Sequence, residues 1–217
     1  MFYHDIHKGR MHTPMSTSLD LFKKHISILK EQDFKIVNII SKKNKEILLQ
    51  FDDGFRGIID CLPYLESEKI FVEIFIITSR IGREGYLTEE ELKILCNSEY
   101  VKVSAHTHTH KDLTELSQEE LEYELKHSKY ILESLLGIKV DSLCYPRGLF
   151  SKNVAITAKS LGYKKQYSSL PGDYFNVFLK TVFKRHLVQH ASPFEFKITL
   201  FGAQNLFYNR YYKRHFK

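Results

Sequence analysis

The stretch Phe71-Val72-Glu73-Ile74-Phe75-Ile76-Ile77-Thr78 is almost continuously apolar and rich in aromatic and β-branched residues. A strand with one wet face alternates apolar and polar side chains. A strand that does not alternate is buried on both faces, as in a parallel sheet covered by helices. The rest of the chain fits that requirement. Ser16 or Thr17 can cap a helix carrying Leu19, Phe22, Ile26 and Leu29 at helical spacing. An extended run follows over Phe34 to Ile40, then the apolar run Ile47 to Phe51, which ends in Asp52-Asp53-Gly54. Arg56 to Glu66 reads as a helix that Pro63 should bend or shorten. Thr88-Glu89-Glu90-Glu91 and Ser117-Gln118-Glu119-Glu120 are capping boxes. The first opens a helix to about Cys96. The second opens the longest helix, which Gly137 closes. A short strand, Tyr100 to Ser104, lies between them. Leu143-Cys144-Tyr145 is another strand, and Ser151 caps a helix ending near Gly162. Strand-like runs surround Tyr167 and Leu187, and Ser192-Pro193 opens a helix to Leu200. Repeated strand–helix units without a break in composition predict one α/β domain over residues 1–217, with a parallel sheet or barrel.

Composition excludes several classes. A hydrophobic content of 43% in 217 residues is enough for a globular core, and no apolar run reaches the length of a membrane span. Met1 to Asp5 lacks the basic-then-apolar pattern of a secretion signal, so a cytoplasmic protein is expected. Cys61, Cys96 and Cys144 sit among apolar residues without metal-ligand spacing and read as reduced packing residues. There is no glycine-rich nucleotide loop and no nucleic-acid motif. The net charge of +6 has one local cluster, a tail over residues 208–217 in which Arg210, Lys213, Arg214 and Lys217 alternate with aromatic rings. It reads as a solvated final helix or frayed end. The sharper alternative is weak contact with an anionic membrane surface, peripheral at the inner membrane face.

The chemistry concentrates in His106-Thr107-His108-Thr109-His110, directly after a strand. Neutral imidazoles and carboxylates are what a borderline divalent ion takes, zinc above all. If the segment stayed extended, His106 and His110 would lie about 13 Å apart and could not share an ion. On a turn or helix, residues four apart become neighbours and can chelate together. His106 and His108 are the competing pair if the strand continues. An anionic ligand must come from elsewhere, and Asp52-Asp53 is the obvious source. One carboxylate can ligate while the other remains free as a base, and Gly54 lets the chain turn sharply. Such a centre is equipped to hydrolyse an amide or ester. Asp52-Asp53, His106 to His110, and Tyr145 to Gly148 all follow strands, and the C-terminal ends of strands are where parallel barrels gather their active sites.

These residues resemble the polysaccharide deacetylases (the NodB homology domain, carbohydrate esterase family 4). Phe51-Asp52-Asp53-Gly54 looks like the family's first motif. His106 to His110 resembles the second, H-[ST]-x-x-H, and the segment from Leu87 to Leu116 is similar around it. Tyr145-Pro146-Arg147-Gly148 resembles the third motif, and Tyr3-His4 looks like the Y-H near the start of many members. The resemblance implies a distorted (β/α) barrel of seven strands. It implies one divalent ion, zinc foremost, held by Asp53, His106 and His110. Asp52 would be the general base, Thr107 would hydrogen-bond near the site, and His108 would be the variable position. The backbone N–H near Arg147, in the motif with Tyr145 and Pro146, would help hold the oxyanion.

Two positions depart from the pattern. Cys144 stands about where many members carry an arginine that pairs with the base, and Arg147 is the nearby candidate to replace it. The general acid falls in Lys184-Arg185-His186-Leu187-Val188-Gln189-His190, where strand parity puts His186 and His190 on one face. His186 is the favoured acid, since His190 abuts the Ser192-Pro193 cap. Arg185-His186-Leu187-Val188 also resembles an R-[IV]-x-V stretch found in members without a catalytic histidine there. The expected activity is removal of an N-acyl group, acetyl foremost, from a sugar in envelope glycan or polysaccharide biosynthesis. The expected substrate is an N-acylated sugar, lipid- or nucleotide-linked. The alternatives are a de-N-formylase, an amidase for small non-sugar amides, a non-catalytic glycan-binding module, and a site in which His106 and His108 chelate.

Overall fold

In the computed structural model, which describes residues 1–217, seven strands form one parallel sheet. They are β1 (Phe2–Tyr3), β2 (Leu49–Phe51), β3 (Val72–Ile76), β4 (Val101–Ala105), β5 (Ser142–Cys144), β6 (Lys165–Tyr167) and β7 (Val182–Phe183). Their order in space is their order along the chain, and every neighbouring pair is parallel. The sheet curls until the segment after β7 meets β1. There Phe2 N–H donates to the His186 carbonyl at 2.9 Å, and Val188 N–H donates to the Phe2 carbonyl at 3.0 Å. The result is the distorted seven-stranded barrel that the sequence implies.

Seven α-helices surround or cap it: α1 (Leu19–Glu31), α2 (Gly57–Ser67), α3 (Glu89–Asn97), α4 (Gln118–Leu136), α5 (Lys152–Ser160), α6 (Pro193–Leu200) and α7 (Tyr208–His215). Thr88, Ser117 and Ser192 each make a full capping box, and Gly137 closes α4 in the left-handed conformation. Strand parity sorts the side chains. Leu49 and Phe51, Val72, Ile74 and Ile76, and Val101, Val103 and Ala105 face outward into the main core beneath the helices. Leu48, Phe75, Cys144 and Tyr167 form a separate small cluster inside the barrel. Beside it Glu73 accepts from Gln50, Ser104 and Lys102. The interior thus has both apolar and polar parts, and its inward rows run upward into Asp52, His106, Cys144 and Arg185.

Several expectations are corrected. The cap of α1 is Ser18, because Ser16 and Thr17 pair in parallel with Asp5–His7 in a two-stranded ribbon. Of the run from Phe34 to Ile40, only Lys35–Ile36 is strand, paired with Glu46–Ile47 outside the barrel. Its residues reach only the rim of the core, and Ile39 is exposed. Pro63 lies inside α2 without ending it, with Leu62 and Leu65 buried on either side. The run around Leu187 reduces to a single bridge to Phe2.

The start of α2 is tightly built. A Cβ added at Gly57 would lie 2.1 Å from the Ile6 carbonyl oxygen and 2.6 Å from Asp5 Oδ1. The buried Asp5 carboxylate therefore sits against the N-terminal end of α2, where the helix dipole favours an anion. Burial still pushes its carboxyl up to about 6. Helix propensity alone would make Gly57→Ala stabilising by about 1 kcal/mol. The clash with backbone predicts the opposite sign, a loss of about 1–3 kcal/mol in urea unfolding.

Candidate metal and catalytic site

Above the barrel interior a cavity of about 320 Å³ opens. Asp52, Asp53, His106, His110, Tyr145 and Arg147 all line it, as does His4. Asp53 Oδ1 lies 3.3 Å from His106 Nε2 and 3.5 Å from His110 Nε2. The donor atoms of these three residues fall within 4.8 Å of one another. That set of one carboxylate oxygen and two imidazole nitrogens suits a tetrahedral divalent ion with a position left open. His106 Nδ1 is bonded to the Cys144 carbonyl at 2.8 Å, which fixes the ring with Nε2 toward Asp53. Burial and the neighbouring His106 push His110 down to about 3, so it offers a neutral ring at neutral pH.

A second grouping, Asp52, His106 and Cys144, also lies within that distance. Its chemistry fits an ion poorly. Both Asp52 oxygens are taken by Arg185, whose Nη1 and Nη2 donate to Oδ1 and Oδ2 at 2.8 Å each. Burial raises the Cys144 thiol above its ordinary value, so it remains protonated and donates to Asp52 Oδ2 at 3.4 Å.

His108 is turned away. Its Nδ1 meets Thr78 Oγ1 at 2.9 Å, and its ring packs edge-on against Tyr123 and His127. The pair four apart is therefore the one brought to the cavity, by a turn rather than a helix. That turn is held from α4 by Glu124, which accepts from the backbone N–H groups of His108 and Thr109 and from the Thr109 hydroxyl. Thr107 Oγ1 accepts from His110 N–H at 3.1 Å. Glu124 is buried on a helix whose pattern gave no sign of it. Its only sequence signal is a carboxylate on the apolar face of α4, beside Leu121 and Leu125.

Backbone strain gathers here. Ten non-glycine residues have positive φ, and Asp53, Thr107, His110 and Arg147 are four of them. The left-handed region is most costly for β-branched Thr107 and marks a site the surroundings over-determine. Gly148 cannot be replaced easily, because its φ is 72° and an added Cβ would meet Ser169 N at 2.5 Å. Of the third-motif residues, Tyr145 donates its hydroxyl to Gln166 inside the protein, Pro146 is buried, and Arg147 is exposed at the cavity. Arg147 does not pair with Asp52. Arg185 does, from the segment that closes the barrel.

The favoured acid lies elsewhere. His186 borders a different cavity, bonded to Gln204 at 3.2 Å, and burial lowers it to about 4. His190 bonds the Pro14 carbonyl at 3.1 Å and lines neither cavity. Parity explains the miss: Arg185 takes the inward position, so His186 next to it points away. Another imidazole that reaches the cavity is His4, with Nδ1 bonded to Gln189 Oε1. His215 and Tyr211, from α7, complete the wall.

Residues 40–165 match the family model described as polysaccharide deacetylase. The chain belongs to the polysaccharide deacetylase family. It is 27% identical over 153 residues to a Bacillus subtilis (strain 168) protein named as a polysaccharide deacetylase, YxkH. That match covers 70% of this chain and 52% of the relative, so the chain spans about half of YxkH's length. Among solved structures, the Bacillus cereus polysaccharide deacetylase BC0361 superposes with a TM-score of 0.80 at 24% identity, over 92% of this chain and 67% of that one. The Streptococcus pyogenes deacetylase PplD, in complex with acetate, superposes with a TM-score of 0.79 at 22% identity, over 92% and 96%. At such identities the two structures show the shared fold.

The ligand set makes a direct prediction. Zinc titrated into the His108→Ala protein should bind as it does to the unsubstituted chain. Asp53→Ala and His110→Ala should weaken binding by more than the roughly 10–100-fold that loss of a supporting hydrogen bond gives. Calorimetry and metal analysis read this, and equal losses for His108→Ala and His110→Ala would mean a different ligand set.

Proposed function

We propose that this protein is a metal-dependent N-deacetylase acting on a carbohydrate, with Asp53, His106 and His110 holding a divalent ion, zinc foremost. The single observation that carries this reading is the juxtaposition of that donor set with a second, non-ligating carboxylate, Asp52, in one cavity. Family membership supplies the substrate class, and the acetate bound to PplD agrees with an acyl group as the part removed. The cavity is at the small end of ligand sites, which suits one N-acylated sugar ring at a time.

An ion bound there would polarise the acyl carbonyl and make water a better nucleophile. Asp52 takes the proton of the attacking water. Burial works against its charge, yet the Arg185 guanidinium outweighs burial and holds the carboxyl below the usual carboxylate range. Asp52 is thus ionised and ready at neutral pH, although a strongly paired carboxylate is a weak base. The backbone at Arg147, held with φ of 55°, borders the cavity where the oxyanion forms. His4 stands on the other wall and delivers a proton from Nε2 to the leaving amine. Gln189 on Nδ1 fixes the ring for that task.

Acetate release from N-acetylated glucosamine oligomers, with and without added zinc, tests the reading. Release that needs neither zinc nor Asp53 would sink it. Asp52→Asn should bind zinc normally and lose about 10²–10⁴ in kcat. His4→Ala should lower kcat without loss of zinc, and His186→Ala should leave kcat in place.

Arg185→Met provides a pH test with a definite sign. Removing the cation leaves burial as the main influence on Asp52 and raises its pKa. The acid limb of kcat/KM should therefore move to higher pH, since the base must be ionised to work. An acid limb that stays in place would mean that Asp52 is not the titrating base.

A further inference from the structure

The helix α6 is apolar on two sides. Phe196 and Thr199 are buried, with the Phe196 ring stacked on His25 at 4.1 Å. Phe194, Ile198 and Phe201 recur at i, i+4 and i+7, and so form a second stripe on the side facing solvent. Phe194 is 72% exposed and Phe201 is 65% exposed. The turn that follows, Ala203–Phe207, adds Leu206 at 86% and Phe207 at 54% exposure. Of the fourteen large apolar side chains exposed on this protein, six lie between residues 194 and 211; the other eight are scattered along the chain. Single exposed apolar residues are ordinary, but such a concentration marks a contact surface.

Charge says what the surface contacts. The segment 192–217 holds five cations, Lys197, Arg210, Lys213, Arg214 and Lys217, and one acid, Glu195, giving +4 of the chain's +6. Glu195 is engaged in the cap of α6, and Lys217 is paired with Asp112 and Glu115. Lys197 is exposed on α6 itself, and Arg210, Lys213 and Arg214 are exposed on α7, which packs against the turn Ala203–Phe207. A second copy of the chain is a poor occupant, since a two-fold contact would bring these like charges face to face. An anionic lipid surface takes both features at once: apolar side chains enter the acyl boundary, and cations meet headgroups.

We infer that α6 and the turn Ala203–Phe207 form a docking face for an anionic membrane surface. The tail beyond Tyr208 contributes cations but is itself packed on the barrel, through Phe216 against Phe150 and Phe178 and through Lys217. The docking face is also a wall of the metal cavity. Gln204 lines the cavity from within the turn and donates to the Leu187 carbonyl at 2.9 Å. Docking therefore brings the cavity's own rim to the lipid surface, where a membrane-attached glycan would present its sugars. That last step rests on the proposed deacetylase reading, whereas the docking does not.

Sedimentation with phosphatidylcholine vesicles, with and without phosphatidylglycerol, tests the inference. The full chain should bind the mixed vesicles, bind phosphatidylcholine alone weakly, and release as salt rises. Phe194→Ser and Leu206→Ser should each lower the partition coefficient about tenfold, the worth of burying one large apolar side chain. Lys197→Gln with Lys213→Gln should remove the preference for phosphatidylglycerol. All three variants keep the cavity residues, so turnover of a soluble N-acetylated oligomer and the melting temperature serve as controls separate from vesicle binding. Absence of binding, or binding insensitive to Phe194→Ser and Leu206→Ser, overturns the inference. So does a dimer in sedimentation velocity that Phe194→Ser dissociates, which would make the stripe an interface between copies.

Discussion

The pair between Asp52 and Arg185 is the interaction on which the site is organised. Arg185 follows β7, on the segment that closes the barrel against β1, and Asp52 ends β2 on the far side of that seam. Two parallel N–H···O bonds therefore tie the closure of the fold to the position of Asp52. The guanidinium lies 4.1 Å over the Phe2 ring, and its Nε donates to the Ser168 carbonyl at 3.0 Å. A buried ion pair need not be a net gain over apolar packing, but removing one partner strands the other charge, at about 3–5 kcal/mol. The linkage has one direction. Asp52 is held below its unfolded value, so its stabilising contribution is present above the ordinary carboxylate range and fades as pH falls through the folded value.

This pairing also accounts for Cys144. In the sequence it occupies about the place of an arginine, which leaves the base without a partner from the third motif. In the fold the partner arrives from the last motif, and Cys144 fills the space beside it, with Arg185 Nη2 at 2.9 Å from its sulfur. An arginine side chain at 144 would bring a second guanidinium into contact with the first. The small thiol and the displaced arginine are two halves of one arrangement. Neither is interpretable without the other, which is why reading the motifs separately pointed to Arg147.

Much of the fold and the grouping of the candidate donor residues could be read from the chain because local rules and global packing agree there. The almost continuously apolar run at β3 pointed to a parallel sheet, two capping boxes placed α3 and α4, and the Ser192-Pro193 cap placed α6. The grouping of Asp53, His106 and His110 was legible because four-residue spacing brings two histidines together once the chain leaves the extended strand, here by a turn. What stayed hidden depends on contacts distant in sequence. β1 is two residues long, too short to show a period, yet it carries His4 into the cavity from the start of the chain. Glu124 supports the histidine turn from sixteen residues away. His186 borders a different cavity because Arg185 beside it holds the inward position of that row, which a parity drawn between the two histidines alone does not reveal.

The C-terminal segment shows how a surface reading changes once it has a place. As a string of cations and rings it looked like a solvated end. In the fold, Lys217 reaches Asp112 at 3.0 Å, and Asp112 lies two residues beyond His110. Phe216 bridges to Phe150, close behind Gly148 of the third motif. Tyr211 and His215, one helical turn apart with stacked rings, then face the cavity itself. The tail is thus anchored beside both the His106–His110 turn and the turn that holds Arg147 and Gly148. A barrel whose strands are only two to five residues long leaves its upper rim low. The last helix raises that rim on one side. Tyr211 and His215 of α7 therefore extend the cavity wall above the strand ends that carry Asp52, Asp53 and His106.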